Sequence, residues 1–117
     1  MNLLNLTPHA ITVVLADGNE VVFPPSGDTA RVVMVEEHVD GFFTIPVISR
    51  QASGISGLPA ERPEGYQGVL VSAMVLDALP KHPITPCYRV FAPDTGSTAL
   101  RNTEGHIVAV TRLVEGF

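Results

Sequence analysis

The sequence predicts a mainly β fold: a small antiparallel barrel or sandwich of six to seven strands with one short helix. Three observations predict it. Apolar residues come in short runs rich in Val, Ile, Thr and Phe; ten Gly and ten Pro in 117 residues punctuate those runs; and one stretch alone carries helix signals at both ends.

Ile11 to Leu15 and Glu20 to Phe23 flank Asp17-Gly18-Asn19, whose Asp-Gly supplies the positive φ of a tight turn, so these segments form a first hairpin. Pro24-Pro25-Ser26-Gly27 withholds two backbone donors and then offers a free φ. The chain must turn there before Thr29 to Val35 begins a third strand. Asp40-Gly41 signals a second hairpin leading into Phe42 to Ile48, and Pro46 assigns that run to an edge or a bulge. Residues 51 to 68 mix Gly, Pro and Ser with no periodic apolar set beyond Ile55 and Leu58, which reads as a long loop of a kind uncommon unless functional.

Val69-Leu70-Val71 resumes a buried strand. Ser72 then stands as N-cap to a helix over Ala73 to Leu79, stopped by Pro80; two turns with an apolar surface nearly all round are stable only when packed on the sheet. A proline-rich link through Pro83 and Pro86 leads to a strand over Cys87 to Phe91. Pro93-Asp94-Thr95-Gly96 and Asn102-Thr103-Glu104-Gly105 are turns, and His106 to Leu113 alternates as the last strand. Closure of these strands into one antiparallel sheet would protect the edges.

Length places residues 1 to 117 in a single β-rich domain, and 45% hydrophobic residues supply the material of a core. The net charge of -5 has the wrong sign for neutralising a phosphate backbone, so no nucleic-acid partner is expected. Cys87 is the one cysteine and has no internal disulfide partner. The start, Met1 to His9, has no basic region and no small-residue cleavage site, and apolar runs such as Val69 to Val71 are too short to span a bilayer; a cytoplasmic location without membrane association is expected.

Asp94-Thr95-Gly96 has the residue types of the aspartic-protease motif, in which two carboxyls share one proton. Too little chain follows Asp94 for a flap, however, and Pro-Asp-Thr-Gly is itself a good β-turn with Asp accepting a backbone N–H. His9, His38, His82 and His106 lack metal-ligand spacing, so neither a metal nor a cofactor is expected. Cys87 is expected to be a buried, inert thiol. Ser26-Gly27 and Gly54 to Gly57 lack the remainder of a phosphate loop. Six of the seven basic residues are Arg, a preference for planar bidentate donors that suits ion pairing with the twelve carboxylates or a ligand clamp.

Asn5-Leu6-Thr7-Pro8-His9, Pro25-Ser26-Gly27 with Ala30-Arg31, Ile45-Pro46-Val47-Ile48, Gly57-Leu58-Pro59, Val71-Ser72 with Val75, Ala92-Pro93-Asp94-Thr95, and Arg101-Asn102 with Gly105 together resemble a family of small proteins of tailed phages, prophages and actinobacteria. The resemblance covers nearly the whole chain. It implies a phage or mobile-element setting, the host cytoplasm included, and no particular activity. The chain departs from that pattern at Ala99-Leu100-Arg101-Asn102, where Arg-Asp is common, and in the link over residues 80 to 87.

A non-enzymatic accessory binding protein is therefore expected, sequestering a small anionic, nucleotide-like ligand or binding a host defence protein. A structural or assembly protein of a phage particle is the alternative, and a small hydrolase comes third. In the binding case Arg31 and Arg101 would meet the anion, with Ser26, Gly27, Asp94 and Thr95 lining the pocket, because each Arg follows a turn whose N–H groups can assist. The chain is expected to form a homo-oligomer that covers its exposed edges.

Overall fold

A computed structural model describes residues 2–81 and 86–116. The expected link positions His82 and Pro83 lie outside the described residues. The chain is mainly β, with β1 (Leu3–Asn5), β2 (Ile11–Val14), β3 (Glu20–Phe23), β4 (Arg31–Phe42), β5 (Ile45–Ser56), β6 (Gly68–Leu70), α1 (Ala73–Ala78), β7 (Arg89–Pro93), β8 (Leu100–Arg101), β9 (Ile107–Ala109) and β10 (Leu113–Glu115). Among the described residues no helix is long and apolar enough to cross a membrane.

The strands do not close into the expected antiparallel barrel. They form a four-stranded sheet in the order β1-β6-β7-β10 and three two-stranded ribbons, β2-β3, β4-β5 and β8-β9. β1, β6 and β7 are parallel, and β10 alone runs antiparallel in that sheet. The physical reason lies in Val69-Leu70-Val71. A parallel strand covered on both faces needs an unbroken apolar run, and a parallel neighbour needs a crossover, which α1 provides between β6 and β7.

Alternation along that run divides the core in two. Val69 and Val71 join Val75, Leu76 and Leu79 of the helical segment with Val90 and Ala92 of β7. Leu70, on the opposite face, joins Leu3, Ile11, Val13 and Phe23 under the β2-β3 hairpin. Gly68 opens β6 because a Cβ there would strike the Arg89 carbonyl of the paired strand.

The buried polar residue Asn5 ties the second core to the first turn. Its Nδ2 donates to the carbonyls of His9 at 2.8 Å and Phe23 at 2.9 Å, and its Oδ1 accepts from the Thr7 N–H at 2.9 Å and the Thr7 hydroxyl at 2.6 Å. Every hydrogen-bonding capacity of the amide is thereby used. The Asn-Leu-Thr-Pro-His opening is thus a structural fastening.

Several elements match the sequence reading. The β2-β3 turn sits at Asp17-Gly18, with Gly18 at φ 88°. Ser72 caps α1 by accepting the Val75 N–H at 3.3 Å. α1 ends at Ala78 with Leu79 as its C-cap, ahead of Pro80, and Pro80 lies in a following 3-10 turn over Leu79–Lys81, since the missing N–H of a proline is harmless where helical pairing is ending.

Other elements differ. The second hairpin turns at Phe43-Thr44, three residues beyond Asp40-Gly41, and Phe43 takes φ 57°. β5 continues to Ser56 through what composition marked as loop, because β4 offers a partner as far as Arg31. Pro46 falls at a register shift of that ladder, as its missing donor requires. The last expected strand is split into β9 and β10, with Val110 forming an isolated parallel bridge to Val13. Cys87 is exposed and precedes β7, which begins at Arg89 where pairing with Gly68 starts, so the expectation of a buried strand thiol is corrected.

The β4-β5 ribbon is the largest departure. Its root, with Ala30, Val32, Ile55 and Leu58, packs on the helix-side core. Beyond the root, β4 is exposed from Val33 to Phe42, and β5 from Ile45 to Ala52 is exposed or half-buried. The ribbon therefore projects as an arm.

Candidate functional site

Three separated segments meet at the root of the arm. The Leu6 carbonyl accepts the Ala30 N–H at 3.0 Å, which brings the start of β4 against Leu6-Thr7-Pro8. Val75 packs in the same core and sets the first turn of α1 alongside. The groove between them has a volume of about 380 Å³, within the range of small-molecule sites. Leu6, Val32, Met74 and Val75 give it apolar walls, and Thr7, Thr29, Arg31 and Ser72 give it polar groups.

Arg31 is exposed, pairs through its backbone with Ser56, and has no carboxylate within ion-pair distance among the described residues. Three other arginines do. Arg50 binds Glu36 at 2.8 Å, Arg89 binds Glu115 through two nitrogens at 2.5 and 3.2 Å, and Arg112 binds Asp94 at 2.5 Å. Arg89 also stacks over Phe91 at 4.9 Å. Its ion pair raises the Arg89 pKa and lowers that of Glu115.

Arg101 is engaged elsewhere. It donates to the carbonyls of Gly105 at 3.0 Å and Thr95 at 3.3 Å, joining the two turns that flank β8. Asp94 accepts the Gly96 N–H at 3.0 Å, the Asx-turn expected of Pro-Asp-Thr-Gly. The Arg112 guanidinium, with the Gly96 N–H adding to it, holds the Asp94 carboxyl below the usual carboxylate range. An ionised, arginine-paired carboxylate is the opposite of the proton-sharing carboxyl that an aspartic-protease dyad requires.

The six sequence-nominated residues therefore lie in different surroundings. Arg31 lines the arm-root groove, and Thr95 lines a small cleft with Ile11, Pro93 and Val108. Ser26 lines a third cavity with Asn5, Phe23 and Tyr66. Gly27 takes φ 97° in the adjoining turn, where the Ser26 hydroxyl bonds the backbone of Asp28. None of these three cavities is lined by both Arg31 and Arg101. Thr7, Thr29, Ser72 and Met74 were not nominated, and no spacing signal could reveal them, because segments around residues 7, 30 and 73 meet only through tertiary packing.

His9 is exposed and its carbonyl serves the Asn5 fastening, while His106 lies 3.6 Å from Glu104 on the surface. Among the described residues no three His, Cys, Asp or Glu side chains gather as a metal site. Tyr88 is buried and donates its hydroxyl to the Pro59 carbonyl at 2.6 Å, and burial raises its pKa, with the Cys87 thiol adding to the rise. Comparison with family models, curated proteins and solved structures returns no match to this chain.

Proposed function

We propose that the chain is a non-enzymatic accessory protein of a phage or mobile element that binds a small anionic, nucleotide-like ligand in the arm-root groove. The observation that carries this reading is Arg31, a cation without a carboxylate partner among the described residues, which lines an apolar groove together with Thr7, Thr29 and Ser72. The guanidinium offers a planar fork to a phosphate or carboxylate, and the walls of Leu6, Val32 and Val75 accept a base or another flat apolar group. Arg101, Asp94 and Thr95 act in this reading as a fastening of two turns, so the clamp is narrowed to Arg31. A second reading, an assembly protein of a phage particle, is favoured by the exposed arm.

The chain has no Trp and two Tyr, so a co-purified nucleotide would dominate its absorbance at 260 nm. Native mass spectrometry before and after heating should then reveal and identify the released ligand. Arg31→Lys keeps the charge and loses the fork, and should lower ligand occupancy while leaving the melting temperature unchanged. Protein free of ligand, or a variant that loses stability with occupancy unaltered, would refute the proposal.

A further inference from the structure

The chain exposes 7941 Å², whereas a compact monomer of its mass exposes about 6,200 Å². Its radius of gyration is 17.0 Å against about 13 Å for a compact domain of this length. The projecting arm contributes to both: two 12-residue strands paired antiparallel through two register shifts, with both outer edges open. An isolated two-stranded hairpin is marginally stable in water.

The arm is also apolar where it is most exposed. At its tip Phe42, Phe43 and Ile45 are 65%, 90% and 58% exposed, and the two rings meet edge to face at 4.7 Å. Along the shaft Val33, Val35 and Val39 occupy odd-numbered positions of β4, with Glu37 between the last two and Val47 opposite Val39. We propose that this arm is an interface between copies of the chain, its valine stripe and aromatic tip buried against a second copy.

Area, reach and charge choose that occupant. The surface excess of roughly 1,700 Å² per copy would give a dimer burying about 3,500 Å² in total, within the range of obligate homodimers. The ten residues from Val33 to Phe42 at about 3.3 Å each project about 33 Å beyond the root, more than the 25 Å smallest extent of the molecule, so the tip of one copy can reach across another. A membrane surface fits poorly. Between Arg31 and Arg50 the arm carries Glu36, Glu37 and Asp40 and no Lys or Arg, whereas interfacial elements bind anionic lipid through basic residues.

The test is the mass of the intact chain in solution, by light scattering at concentrations from about 1 to 100 µM, for the parent and two variants. Phe43→Asn removes the most exposed ring at a position where φ 57° suits Asn better than Phe, so the monomer fold is kept or improved. Val35→Glu replaces an exposed valine between Val33 and Glu37 by a second carboxylate. The parent should exceed 12.5 kDa by an integral multiple, and at least one variant should dissociate at about tenfold higher concentration or more with unchanged circular dichroism. A parent at monomer mass throughout, or two variants that assemble like the parent, would overturn the proposal; so would a monomer that binds phosphatidylserine vesicles.

Discussion

Replacing Asn5 by Ala should destabilise the fold far more than an average substitution. Asn5 is 1% exposed and makes four hydrogen bonds, to the carbonyls of His9 and Phe23 and from the N–H and hydroxyl of Thr7. Each bond contributes about 1 kcal/mol net, and a buried group left without its partner costs about 1 to 3 kcal/mol. Three of the four partner groups belong to the backbone, and the Thr7 hydroxyl alone has an alternative acceptor, the His9 carbonyl at 2.9 Å. Counting the Phe23 carbonyl and the Thr7 N–H as the groups least able to reach water, the loss is about 3 to 5 kcal/mol. That is a large part of the roughly 5 to 15 kcal/mol that holds a domain together.

Urea unfolding followed by far-UV circular dichroism measures this, at one fixed protein concentration because assembly would couple to stability. The midpoint should fall with an unchanged slope, and the melting temperature should drop by about 10 to 20 °C. Asn5→Asp is nearly isosteric but turns the two N–H donors into an acceptor facing two carbonyls. It should be at least as damaging at neutral pH and partly recover in acid, where a protonated carboxyl regains one donor. Asn19→Ala, which removes an exposed bond to Asp17, is the control and should stay within about 0.5 kcal/mol of the parent. If Asn5→Ala matches that control, the fastening described here does not hold the fold.

Gly57→Ala should cost more than Gly18→Ala. Both glycines have positive φ, but a Cβ at Gly57 strikes the Thr29 carbonyl at the arm root, while Gly18 faces open space; equal losses in a urea titration would refute the collision. Because Arg112 and the Gly96 N–H lower the Asp94 pKa from 3.8, their stabilisation is complete above the unfolded value and is lost as pH falls through the folded one. Asp94→Asn should therefore flatten the acid limb of stability below about pH 4, and an unchanged limb would count against this. Burial raises the Tyr88 pKa above 10.0, so its contribution persists below the unfolded value and declines as pH rises toward the folded one. Tyr88→Phe should cost about 1 kcal/mol at neutral pH by depriving the Pro59 carbonyl and should lessen alkaline unfolding; identical alkaline midpoints would refute it.

Local chemistry made part of the fold legible in the sequence. Asp17-Gly18 names its turn because few residues accept positive φ, and Ser72 names a helix start because its side chain can cap an N–H within the same turn. Asp94 names an Asx-turn for the same local reason. What depended on a distant partner was not legible. Leu3–Asn5 is too short to declare itself a strand and exists because β6 pairs with it; Gln51–Ser56 has the composition of a loop and is a strand because β4 runs beside it.

The candidate site divides along the same line. Residue type alone nominated Arg31, since an arginine after a Ser-Gly turn is a ready anion donor. The groove around it exists only because the Leu6 carbonyl captures Ala30 and α1 packs against β7 and the arm root. Likewise Arg101, nominated on the same grounds, has two donors directed at the Gly105 and Thr95 carbonyls, a fate set by loop geometry. The sequence by itself determined a mainly β chain, the Asp17-Gly18 and Asp94 turns and the Ser72-capped helix, because those depend on φ preferences and hydrogen bonds spanning a few residues. Tertiary structure alone decided the parallel pairing, the projecting arm and which arginines meet a carboxylate, because each is a competition among partners far apart in the chain.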